Sequence, residues 1–462
     1  MRGLLVFIPV VLLSFTLHGQ TKTISGTVIS ADDNAPLPGV NVVVEGTSKG
    51  TVTAVDGTYS IELSPEETRL NFTFVGYVEQ KITVTDQTAI DVVLQPDTQT
   101  LEEVVVIGYG VVKKSDLTGA VSSVRGSDLT SVPAVSPMQS LQGKVAGVQI
   151  TSPSGAPGST PVVRIRGTGT FNNSSPIYVV DGVILDNIDF LSSADIESME
   201  VLKDASSTAI YGSRGANGVI MVTTKHGTAG TETVSINFSG EYGIQQLQKK
   251  IDLLSGREFA IIANEITPGS YNNVDAVPNT DWQDLLFEPA PMQNYNVSAT
   301  GSSAKLQYYF GLGYFRQQGI IAKSDYERVS FKFNNTYNIT DFLRFGSNIS
   351  FTPNSQQNTN SNAPFTAYRA QPTIEPFLPD GSYSPVPGVG NFLADIEYTN
   401  NYDKAIRSVN NIFVEVDLFK DFTLRSSFGV DMAYRKNKSY TPQFFVSPQQ
   451  QTSQDRLSKK KY

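Results

Sequence analysis

The chain has 462 residues, with 35 Lys and Arg against 44 Asp and Glu, a formal net charge of -9 and a sequence pI near 5.0. That balance argues against nucleic acid as a partner, which would need a basic face, and a chain without Cys has no disulfide framework, no thiol catalysis and no Cys-type zinc site. Of its two His, His18 lies in the apolar N-terminal stretch and His226 stands beside Gly227 as a solvated loop residue, so a Ser-His-Asp hydrolase would rest on one imidazole.

Arg2 precedes an almost unbroken apolar run from Leu4 to Leu17, followed by Gly19. A charged start and a run too short to span a bilayer read as a secretory signal peptide over residues 1–19, cut after Gly19. No Cys follows the run, so lipid attachment is excluded. No later stretch approaches the roughly 18 apolar residues of a spanning helix. An exported chain without such a helix is soluble or a β-barrel.

Residues 23–95 read as short strands, among them "TISGTVIS", "GVNVVVEG" and "GTYSIEL", in which Val, Ile, Thr and aromatics alternate with polar residues. Asp56-Gly57 supplies a tight hairpin turn. About six or seven such strands make a small β-sandwich. The stretch from "ISGTVIS" to "TYSIEL" resembles the carboxypeptidase-regulatory-like domain at the N-terminus of many exported Bacteroidetes proteins, which carries no peptidase chemistry. Asp32, Asp33, Asp56 and Glu62 are the acids available for a calcium cluster; turn and solvated-face roles suit them better.

Between residues 96 and 113 a polar linker gives way to "EEVVVIGYG". Four consecutive β-branched residues, Val104 to Ile107, favour extended structure, and a strand between flexible flanks needs a sheet edge to satisfy its backbone. The alternatives are the first strand of the next domain and β-augmentation by a partner. The phrase resembles the TonB box of SusC/RagA-type TonB-dependent transporters. The resemblance implies that Glu102, Glu103, Val104, Val105, Val106, Ile107 and Gly108 pair with the periplasmic energy-coupling protein TonB.

Residues 114–229 read as a compact α+β unit. "LQGKVAGVQI", Leu141 to Ile150, is a short amphipathic helix turning at Gly147 into a strand, and "PIYVVDGVIL" contains a second Asp-Gly hairpin at Asp181-Gly182. In "DIESMEVLKDASSTAIYGSRGANGVIMVTTK", Glu197, Met199 and Val201 share one strand face. Asp204 N-caps the helix "ASSTAIY" and Gly212 ends it. The glycine run "GSRGANG" lacks the Gly-Lys-Ser/Thr of a phosphate loop and reads instead as sharp turns and close backbone approaches. These phrases, in this order, resemble the plug domain of SusC/RagA-type transporters. The plug motif falls on Arg164, Arg166, Gly167, Asp181, Gly182, Asp204, Tyr211, Gly212, Arg214, Gly215 and Gly218. Arg164, Arg166 and Arg214 are expected to touch the barrel wall.

Residues 230–462 change to long alternating segments with recurring Tyr and Phe, each long enough to cross a bilayer as a tilted strand. Tight linkers at Thr340-Asp341 and Lys420-Asp421 alternate with long ones such as residues 356–405, as periplasmic turns alternate with outer loops. About seven strands are legible, and the basic tail "RLSKKKY" shows no strand pattern. Plugged transporters use about 22 strands, so the chain reads as the N-terminal part of a longer protein.

The expected fold is therefore mainly β: an N-terminal β-sandwich, an α+β plug and the first part of an antiparallel transmembrane β-barrel. The resemblance implies an outer-membrane importer of glycan oligosaccharides or peptides, with the N-terminal domain periplasmic, a SusD-type surface lipoprotein and TonB as partners, outer-membrane lipid around it, no cofactor and no metal. A siderophore or cobalamin receptor would share plug and barrel. A secreted β-sandwich adhesin would need neither plug nor TonB box. With one mature His, no Cys and no carboxylate pair at a defined spacing, an enzyme is not expected.

Overall fold

The computed structural model describes residues 21–32, 34–47, 49–64, 68–74, 76–85, 87–95, 104–107, 110–113, 121–131, 135–170, 173–227, 234–419 and 422–461. The signal segment, Asp33, Glu102, Glu103 and Gly108 lie outside the described residues. Two compact units divide between Glu103 and Val104.

In the first unit, strands β1 (Lys22–Ser30), β2 (Asn41–Val44), β3 (Gly50–Val52), β4 (Thr58–Leu63), β5 (Arg69–Thr73), β6 (Gln80–Thr83) and β7 (Val92–Leu94) form two sheets, ordered β4-β1-β7 and β3-β2-β5-β6. Strict alternation along β4 buries Tyr59, Ile61 and Leu63 and exposes the residues between them. These side chains meet Ile24, Val42, Leu70 and Phe72 in one core. Tyr59 packs edge-on against Phe72 with ring centroids 5.4 Å apart and donates its hydroxyl to the Ile90 carbonyl at 2.9 Å. Burial pushes the Tyr59 phenol up to about 12. Asp56-Gly57 does turn the chain, with Gly57 at φ 75° and the Asp56 carboxylate accepting from the Thr58 amide and hydroxyl. It is not a hairpin, however, because β3 and β4 belong to different sheets.

In the second unit, β8 (Val104–Ile107) pairs antiparallel with β9 (Gly110–Lys113), in register from Val104↔Lys113 to Ile107↔Gly110. The strand thus already has one partner within the chain. The plug follows with β10 (Val121–Arg125), α1 (Gly126–Leu129), α2 (Pro137–Ser140), β11 (Val148–Thr151), β12 (Val162–Ile165), β13 (Ile177–Val180), β14 (Val183–Leu185), β15 (Ile196–Leu202), α3 (Ala205–Thr208) and β16 (Val219–Thr224). Its central sheet runs β10-β15-β16-β13-β14, with β13 and β16 parallel, and β11-β12 form a separate hairpin.

Several local expectations are corrected here. The helix expected between Leu141 and the turn at Gly147 lies earlier, in α2, because Gly143 and Gly147 both take positive φ and break the next turns, while the strand expected after Gly147 is β11. A bulge between Ile196 and Ser198 shifts the strand register, so Ile196 joins Met199 and Val201 in the core while Glu197 is exposed. Asp204 stands at the N-cap position of α3 without a side-chain cap bond; its carboxylate meets Arg166 instead. Gly212, at φ 57°, kinks rather than ends the helical stretch, which continues as a 3-10 turn to Gly215.

Eight strands then form one antiparallel sheet in chain order: β17 (Val234–Gln245), β18 (Ala290–Ser302), β19 (Leu306–Gln318), β20 (Asp325–Thr340), β21 (Leu343–Asn358), β22 (Asn400–Phe419), β23 (Phe422–Thr441) and, after a small hairpin of β24 (Phe444–Ser447) and β25 (Gln450–Thr452), β26 (Arg456–Lys461). The basic tail is therefore a strand, in register with β23 from Thr441↔Arg456 to Lys436↔Lys461. The connections at one end are tight. Those at the other hold α4 (Gly256–Ile266), α5 (Trp282–Leu286), α6 (Ala363–Arg369) and α7 (Phe392–Tyr398), of which α5, α6 and α7 gather around Trp282, Phe392 and Ile396. No helix among the described residues is long and apolar enough to cross a membrane.

Candidate functional site at the plug and the inner wall

Alternation along the long strands gives the sheet two chemically different faces. On β22, Val409 enters the plug core, and the Asn411 amide donates to the Asp181 carbonyl at 2.8 Å, so the odd positions of that strand face the plug. The plug-facing wall is rich in amides and hydroxyls, with Asn334, Asn348, Ser350, Thr352 and Asn411 all buried.

Asp181 is the hub of the contact. It and Gly182 occupy a two-residue β-turn between β13 and β14, at φ 47° and 89°, the pair of positive angles that Asp-Gly tolerates. The turn aims the Asp181 carboxylate away from its own strand. One oxygen accepts from the Thr224 amide at 3.0 Å, the other from the Thr224 hydroxyl at 2.7 Å and from Lys332 Nζ on β20 at 2.9 Å. Both ionic side chains are buried, at 5% and 3% exposure, so water does not screen the pair. Burial alone would raise the Asp181 carboxyl. The Lys332 charge, with His226 and the Thr224 donors, outweighs it and holds the group below the usual carboxylate range.

Four further contacts flank the hub. Asn334 donates to the Thr224 hydroxyl at 2.8 Å and the Lys225 carbonyl at 2.7 Å. His226, expected as a solvated loop residue, is half-buried with its Nε2 3.1 Å from Asn348 Oδ1. Tyr309 donates its hydroxyl to Asp195 at 2.8 Å, where Gly311 leaves room for the carboxylate. Arg328 donates to the Asp189 and Val135 carbonyls at 2.7 and 3.2 Å, its guanidinium 5.5 Å from the Phe315 ring centre. Burial is the dominant influence on Asp195 and raises its carboxyl, despite the Tyr309 hydroxyl and nearby Lys332.

Apart from Asp181–Lys332, these contacts are single hydrogen bonds, between neutral groups, from Arg328 to carbonyls, or from the Tyr309 hydroxyl to Asp195. Each contributes on the order of 0.5–1.5 kcal/mol net, because water offers nearly equivalent partners once the surfaces separate. Such an interface holds the plug in place yet can be opened. Among the described residues no cluster of three His, Asp or Glu could hold a metal.

Residues 24–106 match the CarboxypepD_reg-like domain family and residues 113–219 the TonB-dependent receptor plug domain family. TonB-dependent receptor P3 of Formosa agariphila is 40% identical over 445 residues, 92% of this chain and 43% of that one. TonB-dependent receptor SusC of Bacteroides thetaiotaomicron is 37% identical over 361 residues, 76% of this chain and 36% of that one. This chain belongs to the SusC-type TonB-dependent transporter family. It spans less than half the length of the curated relatives it matches. The RagAB peptide importer in its open-open state superposes with a TM-score of 0.65 at 28% identity, covering 75% of this chain and 44% of that one.

Within this SusC-type plug, the motif residues expected from sequence fall into three groups. Asp181 and Gly182 reach the wall as described. Arg166 and Gly167, both at positive φ, turn the chain after β12, while Gly215 and Gly218 bracket the tight return into β16; a Cβ on Gly218 would lie 2.7 Å from Ile165. Tyr211 is buried with Val219 and Met221. The three arginines expected at the wall sit elsewhere: Arg164 donates to the Val163 carbonyl and Ser175, Arg166 pairs with Asp204, and Arg214 is exposed. The arginines and lysine that reach across the interface come from the barrel strands: Arg328 and Lys332 as described, and Arg407, which donates to Asn187 and lies 4.7 Å from the Phe190 ring centre.

Proposed function

We propose that the full-length protein is an outer-membrane importer in which TonB, driven by the inner-membrane proton gradient, draws on the β8 segment and displaces part of the plug from the inner wall. A signal peptide over 1–19 would direct export. Residues 23–95 would form a periplasmic sandwich domain, 96–113 the linker with the TonB box, 114–229 the plug and 230–462 the first part of the barrel. The cargo class is glycan oligosaccharides or peptides, and kinship with the RagAB peptide importer supports the peptide arm. A SusD-type lipoprotein would cover the long-loop end. The role is transport rather than catalysis: the relatives are named as receptors.

The observation that carries this reading is the polar, exchangeable seat of the plug on one face of a long antiparallel sheet. A secreted adhesin would have no use for a second domain docked along a strand face. The test is Val105→Pro in the full-length protein. Proline removes a ladder donor from β8, so uptake of labelled oligopeptide or oligosaccharide should stop while outer-membrane abundance stays unchanged. Undiminished uptake would sink the TonB-box assignment.

A further inference from the structure

The outward face of the sheet carries a feature that import does not use. The even positions of β22 point away from the plug and run Leu418, Val416, Val414, Ile412, then the polar Asn410 and Ser408, then Ile406, and end in Lys404 and Tyr402 toward the long-loop end. Across the ladder on β23 the same face runs Leu424, Ser426, Phe428, Val430, Met432 and Tyr434, followed by Lys436 and Lys438. From Leu424 to Tyr434 the strand advances about 33 Å at about 3.3 Å per residue. Tilted by about 40° this covers about 25 Å of height, the apolar band of an outer-membrane barrel. Tyr434 thus marks the interface and the lysines stand just beyond it.

There the register sets like charges side by side. Lys404 opposes Lys436, which opposes Lys461, and Lys438 opposes Lys459 in the next outward row. All five side chains are exposed, and none joins an ion pair among the described residues. Opposed like charges on neighbouring strands are destabilising. The inward face at the same height does the reverse, pairing Arg435 with Asp403 at 3.0 Å. Lysine is common on edge strands as a guard against mispairing, but Lys404, Lys436 and Lys438 lie on strands paired on both sides. Nearby acids are engaged: Asp325 with Arg316 at 3.1 Å, and Asp455 with the Tyr440 hydroxyl and the Gln443 amide. A groove of about 510 Å³ runs along Lys404, Lys436 and Lys438 beside Tyr402, with Asp325 and Asp403 also in its lining, each paired with an arginine, Arg316 and Arg435.

We propose that this lysine cluster binds the phosphate-bearing headgroup of a membrane lipid in the leaflet at the long-loop end. The proposal rests on the reading of the sheet as a membrane barrel. A lipid phosphate at that depth bridges the opposed ammonium groups, while its acyl chains lie along Ile406, Met432 and Tyr434.

The test reconstitutes full-length protein into phosphatidylcholine nanodiscs with and without phosphatidic acid and counts retained lipid by native mass spectrometry. The wild type should retain phosphatidic acid in preference to phosphatidylcholine. Lys404→Gln/Lys436→Gln/Lys438→Gln should lose that retention by about a hundredfold, roughly fivefold per lysine, and the corresponding triple Arg variant should keep it. Equal retention by the Gln variant would overturn the site, and displacement by inorganic phosphate would reassign it to a free anion and overturn the lipid. If neither protein enters phosphatidylcholine nanodiscs, the barrel reading itself fails and takes this proposal with it; entry without selective retention defeats the proposal alone.

Discussion

Asp181 and Lys332 face each other across 151 positions of sequence with almost no exposure. Removing one member leaves the other charge buried alone, at a cost of about 3–5 kcal/mol. Lys332→Met should therefore loosen the plug, measurable as faster hydrogen exchange in β13 and β16, and Asp181→Asn/Lys332→Met should recover much of the protection. The two buried plug carboxyls respond oppositely to pH. Asp181 is held below its ordinary value of 3.8, so its contribution is present above about pH 4 and lost as pH falls through the lowered value. Asp195 is raised by burial, so its contribution is full below 3.8 and lost as pH rises through the raised value. Asp195→Asn keeps an acceptor for Tyr309 and should raise the melting temperature at pH 7 more than at pH 4; an equal shift at both would contradict the buried-carboxyl account. The Asp181-Gly182 turn was legible because positive φ leaves a mark in local sequence. Its partner Lys332 was not, because a single lysine on an alternating strand carries no sign of which face is buried. The same gap explains why the plug arginines were expected at the wall: charge is visible in sequence, but its direction is not.

Among the elements, the long strands were legible because alternation over ten or more residues is a strong signal. The tail strand β26 was missed because "RLSKKK" has only Leu457 as an apolar residue, and register with β23 supplies what local pattern lacks. The loop helices also went unread, although "SGRE" at Ser255 to Glu258 carries a capping-box signature. In the structure Ser255 accepts from the Glu258 amide while the Glu258 carboxylate accepts from the Ser255 amide at 2.9 Å. Ser255→Ala should fray the start of α4 by about 1 kcal/mol, seen as faster exchange over 256–259 with the plug unchanged. The β8-β9 pairing constrains any TonB engagement as well: the partner must add to the free edge of β8 or displace β9. Ile107 and Gly110 pair across a two-residue connection, so displacement would open a short ladder of four residue pairs.

At the scale of the whole molecule, the apolar outward band, the polar inward wall and the docked plug together describe a gate seated in part of a barrel wall. In the proposed function, import requires the plug to leave that wall. The 462 residues of this chain contain no Cys, so no native thiol of this segment competes with introduced ones; any Cys elsewhere in the full-length protein is replaced by Ser first. Ser192 on the plug lies with its hydroxyl 3.1 Å from Asn296 Oδ1 on β18. Ser192→Cys/Asn296→Cys in the full-length protein, bridged by a short cleavable thiol crosslinker, fixes plug to wall. The measurement is uptake of labelled cargo before bridging, after bridging and after cleavage. Uptake that stops on bridging, with surface binding of cargo retained, and returns on cleavage is the predicted result. Uptake that continues at full rate through the bridged protein would contradict the claim that the plug must move.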